Sequence, residues 1–229
     1  MMRAAKWGAF WLLLTGSAAI VLWQVAIRWH PLESQYPVQG PLVGAEQGEV
    51  HWPTLRAAGA DFAYIQATDG DTDRDPSFAA HWQAAHEAGL RRGAVHRWEL
   101  CRLAVDQATN FVATVPDDPH ALPPAVILDF EGNCADRPDL SIFISEFAIF
   151  LEMIEEHSGS PALLYITREF DAEYEVTNRV ERSVWLPRRL FKPDFGAVPW
   201  VMWEASDIRQ IDGVENPVRW NVVRPGEPG

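Results

Sequence analysis

The chain has 229 residues, of which 48% are hydrophobic and 22% are charged, a composition typical of a globular protein with one sizeable core. Its 19 basic and 32 acidic side chains give a net charge of −13. This charge argues against nucleic acid as a partner, because binding to phosphates requires a basic surface. It does not exclude a glycan, whose binding depends on aromatic faces and hydrogen bonds.

The first 29 residues carry the pattern of a targeting signal. Residues 7–27 contain no charged side chain and are long enough to span a bilayer as a helix, with tryptophans toward both ends. A cleaved signal peptide with its cleavage site at residues 17–19 is the alternative. Because cleavage there would leave an exposed apolar run, we predict an uncleaved transmembrane anchor. The chain would then be membrane-anchored through residues 7–27, with the following domain exported to the periplasmic or extracellular side.

Strands and helices alternate along the rest of the chain, after a linker at residues 30–39 that contains two prolines. Short apolar runs bounded by turn residues predict eight strands, at residues 42–44, 62–67, 93–98, within 122–134, 162–166, 184–187, 200–203 and 218–222. Helical patterns separate most of them, at about residues 52–58, 75–88, 105–115 and 140–157, with a short helix after Thr167.

This alternation favours parallel βαβ units, and eight strands favour a closed barrel. The predicted fold class is therefore α/β. It is a TIM-like (β/α) barrel of eight strands with fewer helices, covering residues 40–222, preceded by the transmembrane helix and followed by a tail at residues 223–229. In such a barrel the chemistry lies at the carboxyl ends of the strands.

The fourth predicted strand ends in two carboxylates, Asp129 and Glu131, just before Gly132. Since side chains in a strand alternate with a period of two, both point to the same face, with Cβ atoms roughly 6–7 Å apart. Two carboxylates at the end of a core strand are costly unless they are paired, hydrated or used in chemistry. A solvated loop that follows the strand is the simpler alternative.

Other side chains that fall at the same end of the barrel make a mouth rich in carboxylates and aromatic rings, as in a glycosidase cleft. They are Asp69, His96, Trp98, Tyr165, Trp185, Trp203 and Glu204. A lone histidine such as His96 is more often a core residue than a catalytic one. Because no His, Cys or Asp cluster has the spacing of zinc ligands and no phosphate-binding glycine loop occurs, we expect no metal and no cofactor.

The only two cysteines, Cys101 and Cys134, follow neighbouring predicted strands at one end of the barrel. Parallel neighbours lie close enough for Cα separations of about 4.4–6.8 Å, which a disulfide requires. An exported domain reaches an oxidising compartment, where an even number of cysteines usually means a bridge. We therefore predict a Cys101–Cys134 disulfide, with two separate buried thiols as the alternative.

Several motifs occur together over residues 37–221: FAYIQATDG at 62–70, DPSFAAHW at 75–82, AGLRRGAVH at 88–96, QATNF at 107–111 and PALLYITREF at 161–170. This set resembles the glycoside hydrolase family 25 lysozymes, or N-acetylmuramidases. The resemblance implies an eight-stranded barrel that cleaves the bond after N-acetylmuramic acid in peptidoglycan. Peptidoglycan glycan strands are then the expected partner, and we expect the chain to be a monomer.

The family's D-x-E pair would fall on Asp129 and Glu131. Under this resemblance Glu131 is the general acid, and Asp129 supports the substrate's acetamido group as an internal nucleophile. A register that places the pair on Ile127 and Asp129 instead stays open. The resemblance also implies that the cleft side chains bind the glycan, namely His96, Asp69, Tyr165, Trp98, Trp185, Trp203 and Glu204.

The chain departs from the family pattern at several positions. Leu42 stands where the family has an aspartate on the first strand, and Arg219 where it has one near the C-terminus. The family's T-E-G is Thr68-Asp69-Gly70 here, and its W-Q is Trp203-Glu204. The leading hypothesis is a peptidoglycan-cleaving lysozyme. A catalytically impaired peptidoglycan-binding protein is the second hypothesis, and a membrane-tethered structural domain is the third.

Overall fold

The structure, a computed structural model, describes residues 2–132, 134 and 136–226, without the side chains of residues 2–6, 8–10, 12 and 13. The helices are α1 (Met2–Ala26), α2 (Trp52–Ala57), α3 (Phe78–Glu87), α4 (Ala104–Thr114), α5 (Leu140–Ser158), α6 (Arg168–Tyr174) and α7 (Val176–Arg179). The strands are β1 (Gln39–Val43), β2 (Phe62–Asp69), β3 (Asp73–Arg74), β4 (Arg91–Arg97), β5 (Ala125–Leu128), β6 (Leu163–Ile166), β7 (Ser183–Pro187), β8 (Met202–Arg209) and β9 (Val218–Val223).

Eight of these strands form a closed barrel in the order β1-β2-β4-β5-β6-β7-β8-β9, and β9 pairs with β1 to close it. The two-residue strand β3 only extends the end of β2. Strands β1 to β8 of the barrel run parallel, whereas β9 runs antiparallel to both β8 and β1. Residues 210–217, which connect β8 to β9, contain no helix, and so short a connection returns the chain antiparallel.

Alternate side chains of the strands divide into two apolar layers. The barrel interior is filled by one set, which includes Tyr64, Ile127, Leu163 and Trp185. The other set faces outward and packs against the helices, chiefly against the buried phenylalanines of α5. That helix ends at Gly159, which has the left-handed conformation (φ 67°) that glycine adopts without a steric penalty.

Residues 27–39, which include the predicted linker at residues 30–39, pack against the barrel. Ile27 and Tyr36 are buried, the ring of Trp29 lies 6.5 Å from that of Trp203, and the Trp220 indole nitrogen donates a 2.7 Å hydrogen bond to Gln39. These contacts cover the outer face of β8 and β9. The segment therefore takes the place of the crossover helix that a parallel strand pair would have there.

The prediction of a transmembrane helix is wrong. Across residues 2–132, 134 and 136–226, no helix is both long enough and apolar enough to cross a membrane. Within residues 14–26 of α1, the polar side chains of Thr15, Ser17 and Gln24 interrupt the apolar ones. At the other end of the chain, residues 227–229 of the predicted tail lie outside the described residues.

Candidate active site

Two adjoining clefts open at the carboxyl ends of the parallel strands. The main cleft has a volume of about 550 Å³ and is lined by Asp129, Phe130, Glu131, Tyr165, Thr167, Glu169, Pro187, Arg188, Arg189, Glu204, Asp207 and Arg219. The side cleft has a volume of about 290 Å³ and is lined by Leu42, Gly44, Glu46, Gln66, Thr68, Asp69, Asp73, Arg74, Asp75, Arg97 and Arg219. Arg219 lines both clefts and therefore lies at their boundary.

The end of β5 brings two carboxylates to the main cleft. Asp129 is 5% exposed and Glu131 is exposed, and both line this cleft. Ile127 lies below them on the same side of the strand, fully buried in the barrel interior. The Asp129/Glu131 register therefore supplies two carboxylates to the cleft, whereas the Ile127/Asp129 register would supply one.

Asp129 is held by Arg97, whose guanidinium Nη1 lies 2.6 Å from the Asp129 carboxylate. The Nε atom of Arg97 also lies 3.6 Å from the carboxylate of Asp69, at the rim of the side cleft. Burial raises the pKa of Asp129, and the positive charges of Arg97 and Arg219 act in the opposite direction. Arg97 fixes the position of Asp129 and keeps part of its charge compensated.

Glu204 is a second deeply buried carboxylate of the main cleft. It is 6% exposed, and the nearby Tyr165 hydroxyl favours its ionised form. Its Oε2 atom has no hydrogen-bond partner among the described residues. Burial raises the pKa of Glu204 to about 7, although the charge of Arg219 lowers it. This carboxyl group therefore gains or loses its proton near neutral pH.

Arg219 reaches the clefts because β9 is antiparallel. In the parallel strands the last residues lie at the mouth, but in β9 the first residues do, and Arg219 is the second residue of β9. It pairs with Leu42 across the β1–β9 ladder. Burial lowers the pKa of Arg219, but nearby negative charges, led by Glu204, outweigh this and raise it. The guanidinium is therefore charged at any physiological pH.

Three predicted glycan-binding residues do not lie in the clefts, and their predicted contact with substrate needs correction. His96 is fully buried on the outer side of β4, with Nδ1 2.8 Å from Thr68 Oγ1 and Nε2 3.3 Å from Gln107 Oε1. Burial lowers its pKa to about 3, so it stays neutral. Trp98 also packs outward, against the phenylalanines of α5, as does Trp203, against the N-terminal segment.

The other four predicted glycan-binding residues lie in the clefts or directly below them. Tyr165 and Glu204 line the main cleft, and Asp69 lines the side cleft. Trp185 is fully buried in the barrel interior, where its indole nitrogen donates a 3.0 Å hydrogen bond to Asn221. Trp185 therefore supports Tyr165, whose ring lies 5.2 Å away, rather than contacting a ligand.

Sequence reasoning missed several charged residues of the clefts, namely Arg97, Arg188, Arg189 and Asp207. The sequence could have indicated Arg97 as a cleft residue. A cation at the end of a core strand needs a counter-charge, and the neighbouring strand end is acidic. The two arginines after β7 lie in an irregular segment and carried no such signal. No group of three or more His, Cys, Asp or Glu within the described part of the chain could hold a metal ion.

A disulfide joins the loop after β4 to the loop after β5. Cys101 and Cys134 are bonded, with Cα atoms 6.1 Å apart, which confirms the predicted bridge. The loop that contains Cys134 also contains Glu131. The bridge therefore restrains the segment that carries this carboxylate.

Comparison with known proteins agrees with this geometry. The family model of the glycosyl hydrolases family 25 matches residues 43–214. Protein YegX of Escherichia coli K12 is 28% identical over 198 residues, covering 83% of this chain and 71% of YegX. A family 25 glycosyl hydrolase from Bacillus anthracis superposes with a TM-score of 0.77 and 26% identity, covering 87% of this chain and 94% of that chain.

A bacterial lysozyme from Streptomyces coelicolor has the same fold, with a TM-score of 0.71 and 23% identity over 81% of this chain and 91% of that chain. The family match covers most of the barrel, from β1 to the connection before β9. The chain belongs to the glycosyl hydrolases family 25 and is a glycoside hydrolase of the lysozyme type.

Proposed function

We propose that the chain is a muramidase that hydrolyses the glycosidic bond after N-acetylmuramic acid in peptidoglycan. The observation that carries this proposal is the pair Asp129 and Glu131, which line one cleft at the carboxyl end of the barrel. A carboxylate pair beside the scissile bond is the common requirement of glycoside hydrolysis. Family membership and the lysozyme fold support the same substrate class.

The two carboxylates have different surroundings, which supports different roles. Glu131 is exposed to the cleft, so it can approach the leaving oxygen and donate a proton as the general acid. Asp129 is buried and bound by Arg97, so it is suited to hold and polarise the acetamido group of the substrate. The acetamido oxygen then attacks the anomeric carbon, and no carboxylate forms a covalent bond with the sugar.

A glycan-binding protein with little turnover is the second candidate. Leu42 and Arg219 pair across β1 and β9. By resemblance to the family 25 lysozymes, both stand at positions where the family has aspartates. Arg219 replaces a negative charge by a positive one next to the acidic pair, and its charge favours the ionised form of Asp129. This observation supports weaker catalysis with retained binding.

We further propose that the domain acts outside the cytoplasm, where peptidoglycan is found. The Cys101–Cys134 bridge supports this location, because disulfides persist in oxidising compartments and are rare in the cytosol.

Loss of turbidity of purified peptidoglycan, measured with the full chain, tests the proposed function. We expect the Glu131→Gln variant to lose activity by about 10²–10⁴-fold, because general acid catalysis contributes that much. Glu173→Gln, which makes the same change at an exposed position of α6, should retain activity and is the matched control. Equal activity of the two variants would rule out the role of Glu131. Saturable binding of peptidoglycan without turbidity loss by the unmodified chain would favour the second candidate.

A further inference from the structure

Five arginines line the two clefts, and four of them have partners. Arg74 donates to Asn110, Arg97 to Asp129, Arg188 pairs with Asp194, and Arg189 pairs with Asp207. Arg219 is the fifth, and within the described residues its guanidinium has no hydrogen bond or ion pair. A half-buried guanidinium without a direct partner, at the boundary of two clefts, is free to bind an anionic group.

A second observation points to the same place. Glu204 lies on β8, next to β9, and is more than nine-tenths buried. Its Oε2 atom has no hydrogen-bond partner among the described residues, although the side chain lines the main cleft. Buried polar atoms normally have a partner. Two neighbouring side chains of this cleft, Arg219 and Glu204, thus both retain unused hydrogen-bonding capacity.

A carboxylate can use the capacity of both side chains. One of its oxygens accepts from the guanidinium fork of Arg219, a geometry that planar guanidinium and carboxylate groups match well. The other oxygen shares a proton with the Glu204 carboxyl group, as two adjacent carboxyl groups do when they hold one proton. Two of the nearby acidic residues have their own cations, since Asp129 is paired with Arg97 and Asp207 with Arg189. The clefts are also lined by Glu46, Glu131 and Glu169.

We propose that Arg219 and Glu204 form a subsite for a free carboxylate of the glycan, such as the lactyl carboxylate of an N-acetylmuramic acid that carries no stem peptide. This inference rests on the proposed function and specifies its substrate class. Where a stem peptide is attached, the lactyl carboxylate is an amide, which has no charge to offer Arg219. The chain should therefore prefer peptide-free glycan strands to peptide-bearing ones.

The subsite should also depend on pH. The charged and titratable groups that act on Glu204 are Tyr165 on β6, Arg189 after β7, Asp207 on β8 and Arg219 on β9. When Glu204 is protonated it donates to the ligand carboxylate, and when it is ionised it repels that carboxylate. Because the pKa of Glu204 is raised to about 7 by burial, the preference for a carboxylate should weaken as the pH rises above neutral.

The test uses two soluble probes and isothermal titration of the full chain. The first probe is the disaccharide of N-acetylglucosamine and N-acetylmuramic acid with a free lactyl carboxylate, and the second is its lactyl methylamide. At mildly acidic pH we expect the free acid to bind about tenfold or more tightly than the amide, as a charge-assisted hydrogen bond would provide. Arg219→Leu should remove this difference, and Arg219→Lys should retain part of it.

Arg179→Leu, which removes one positive charge from the surface of α7, is the control and should keep the full preference. Glu204→Gln should keep a preference that no longer changes with pH. Equal binding of the two probes by the unmodified chain, tighter binding of the amide, or an unchanged preference in Arg219→Leu would overturn the carboxylate subsite. These results would leave the proposed function standing if peptidoglycan is still cleaved. Absence of both binding and cleavage would overturn the two proposals together.

Discussion

Glu204 shows how burial can dominate the protonation of one residue. The residue is 6% exposed and lines the main cleft near Tyr165. The ionised form is poorly solvated there, so the pKa rises to about 7 from its ordinary value of 4.5. The residue is therefore more costly to the folded chain when it is ionised than when it is protonated.

The stability of the protein should follow this titration. A carboxyl group whose pKa is raised in the folded state contributes stability below its ordinary pKa of 4.5, and this contribution is lost as the pH rises through about 7. Between about pH 5 and about pH 8, this titration should lower the free energy of unfolding of the unmodified chain by roughly 2–3 kcal/mol. Glu204→Gln cannot ionise at this position and should not show this loss. Urea unfolding at both pH values measures this difference. Parallel stability curves for the two proteins would contradict it.

Which residues face the clefts was only partly predictable. Asp129 and Glu131 could be found because they follow an apolar run directly and share one side of the strand. His96 could not be placed, because the strand Arg91–Arg97 is buried on both faces. Such a strand has no polar side to mark its outward direction, and a shift of one residue exchanges the two faces. Arg97, the neighbour of His96, is the residue that faces the cleft.

At the level of elements, the eight barrel strands could be predicted because each is an apolar run ended by turn residues. The direction of β9 could not be read in this way, since an apolar run looks the same in either direction. The missing helix between β8 and β9 was the available signal. Its consequence is functional, because the reversal brings Arg219, near the start of β9, to the clefts.

The disulfide links two of these elements at the mouth of the barrel. Cys101 and Cys134 are separated by 33 positions in the chain, and closing such a loop should stabilise the domain by about 3–4 kcal/mol in the chain-entropy model. We therefore expect a variant with both Cys101→Ser and Cys134→Ser to have a free energy of unfolding lower by that amount, measured by urea unfolding. Reduction of the unmodified chain before unfolding is the matched control and should give the same loss. A loss below about 1 kcal/mol in both experiments would show that the loops are held by other contacts.

At the level of the whole molecule, the barrel is covered unevenly. Helices α3, α4 and α5 cover its outer face around β2, β4 and β5, whereas the outer face of β8 and β9 is covered by the residues between α1 and β1. These residues look like a linker in the sequence, since they are proline-containing and mixed in polarity. Their role depends on tertiary contacts with Trp200 and Trp203, which no local pattern reveals.

Tyr36 is the residue that best tests this covering role. It is 5% exposed, and its ring lies 6.3 Å from that of Trp200 and 5.8 Å from that of Trp203. Tyr36→Ala should leave a cavity over these tryptophans and lower the free energy of unfolding by about 3 kcal/mol. Leu32→Ala, in the same segment but 63% exposed, should change it by less than about 0.5 kcal/mol.

The urea midpoints of the two variants, read by tryptophan fluorescence, distinguish the possibilities. A large loss in Tyr36→Ala alone would make residues 27–39 a structural part of the barrel, so that a truncation beginning at residue 40 would remove folding free energy as well as the N-terminal helix. Equal midpoints for the two variants would instead mean that the barrel is stable without this cover. Because β8 and β9 carry Glu204 and Arg219 on their inner faces, a loosened cover should also weaken ligand binding in the main cleft.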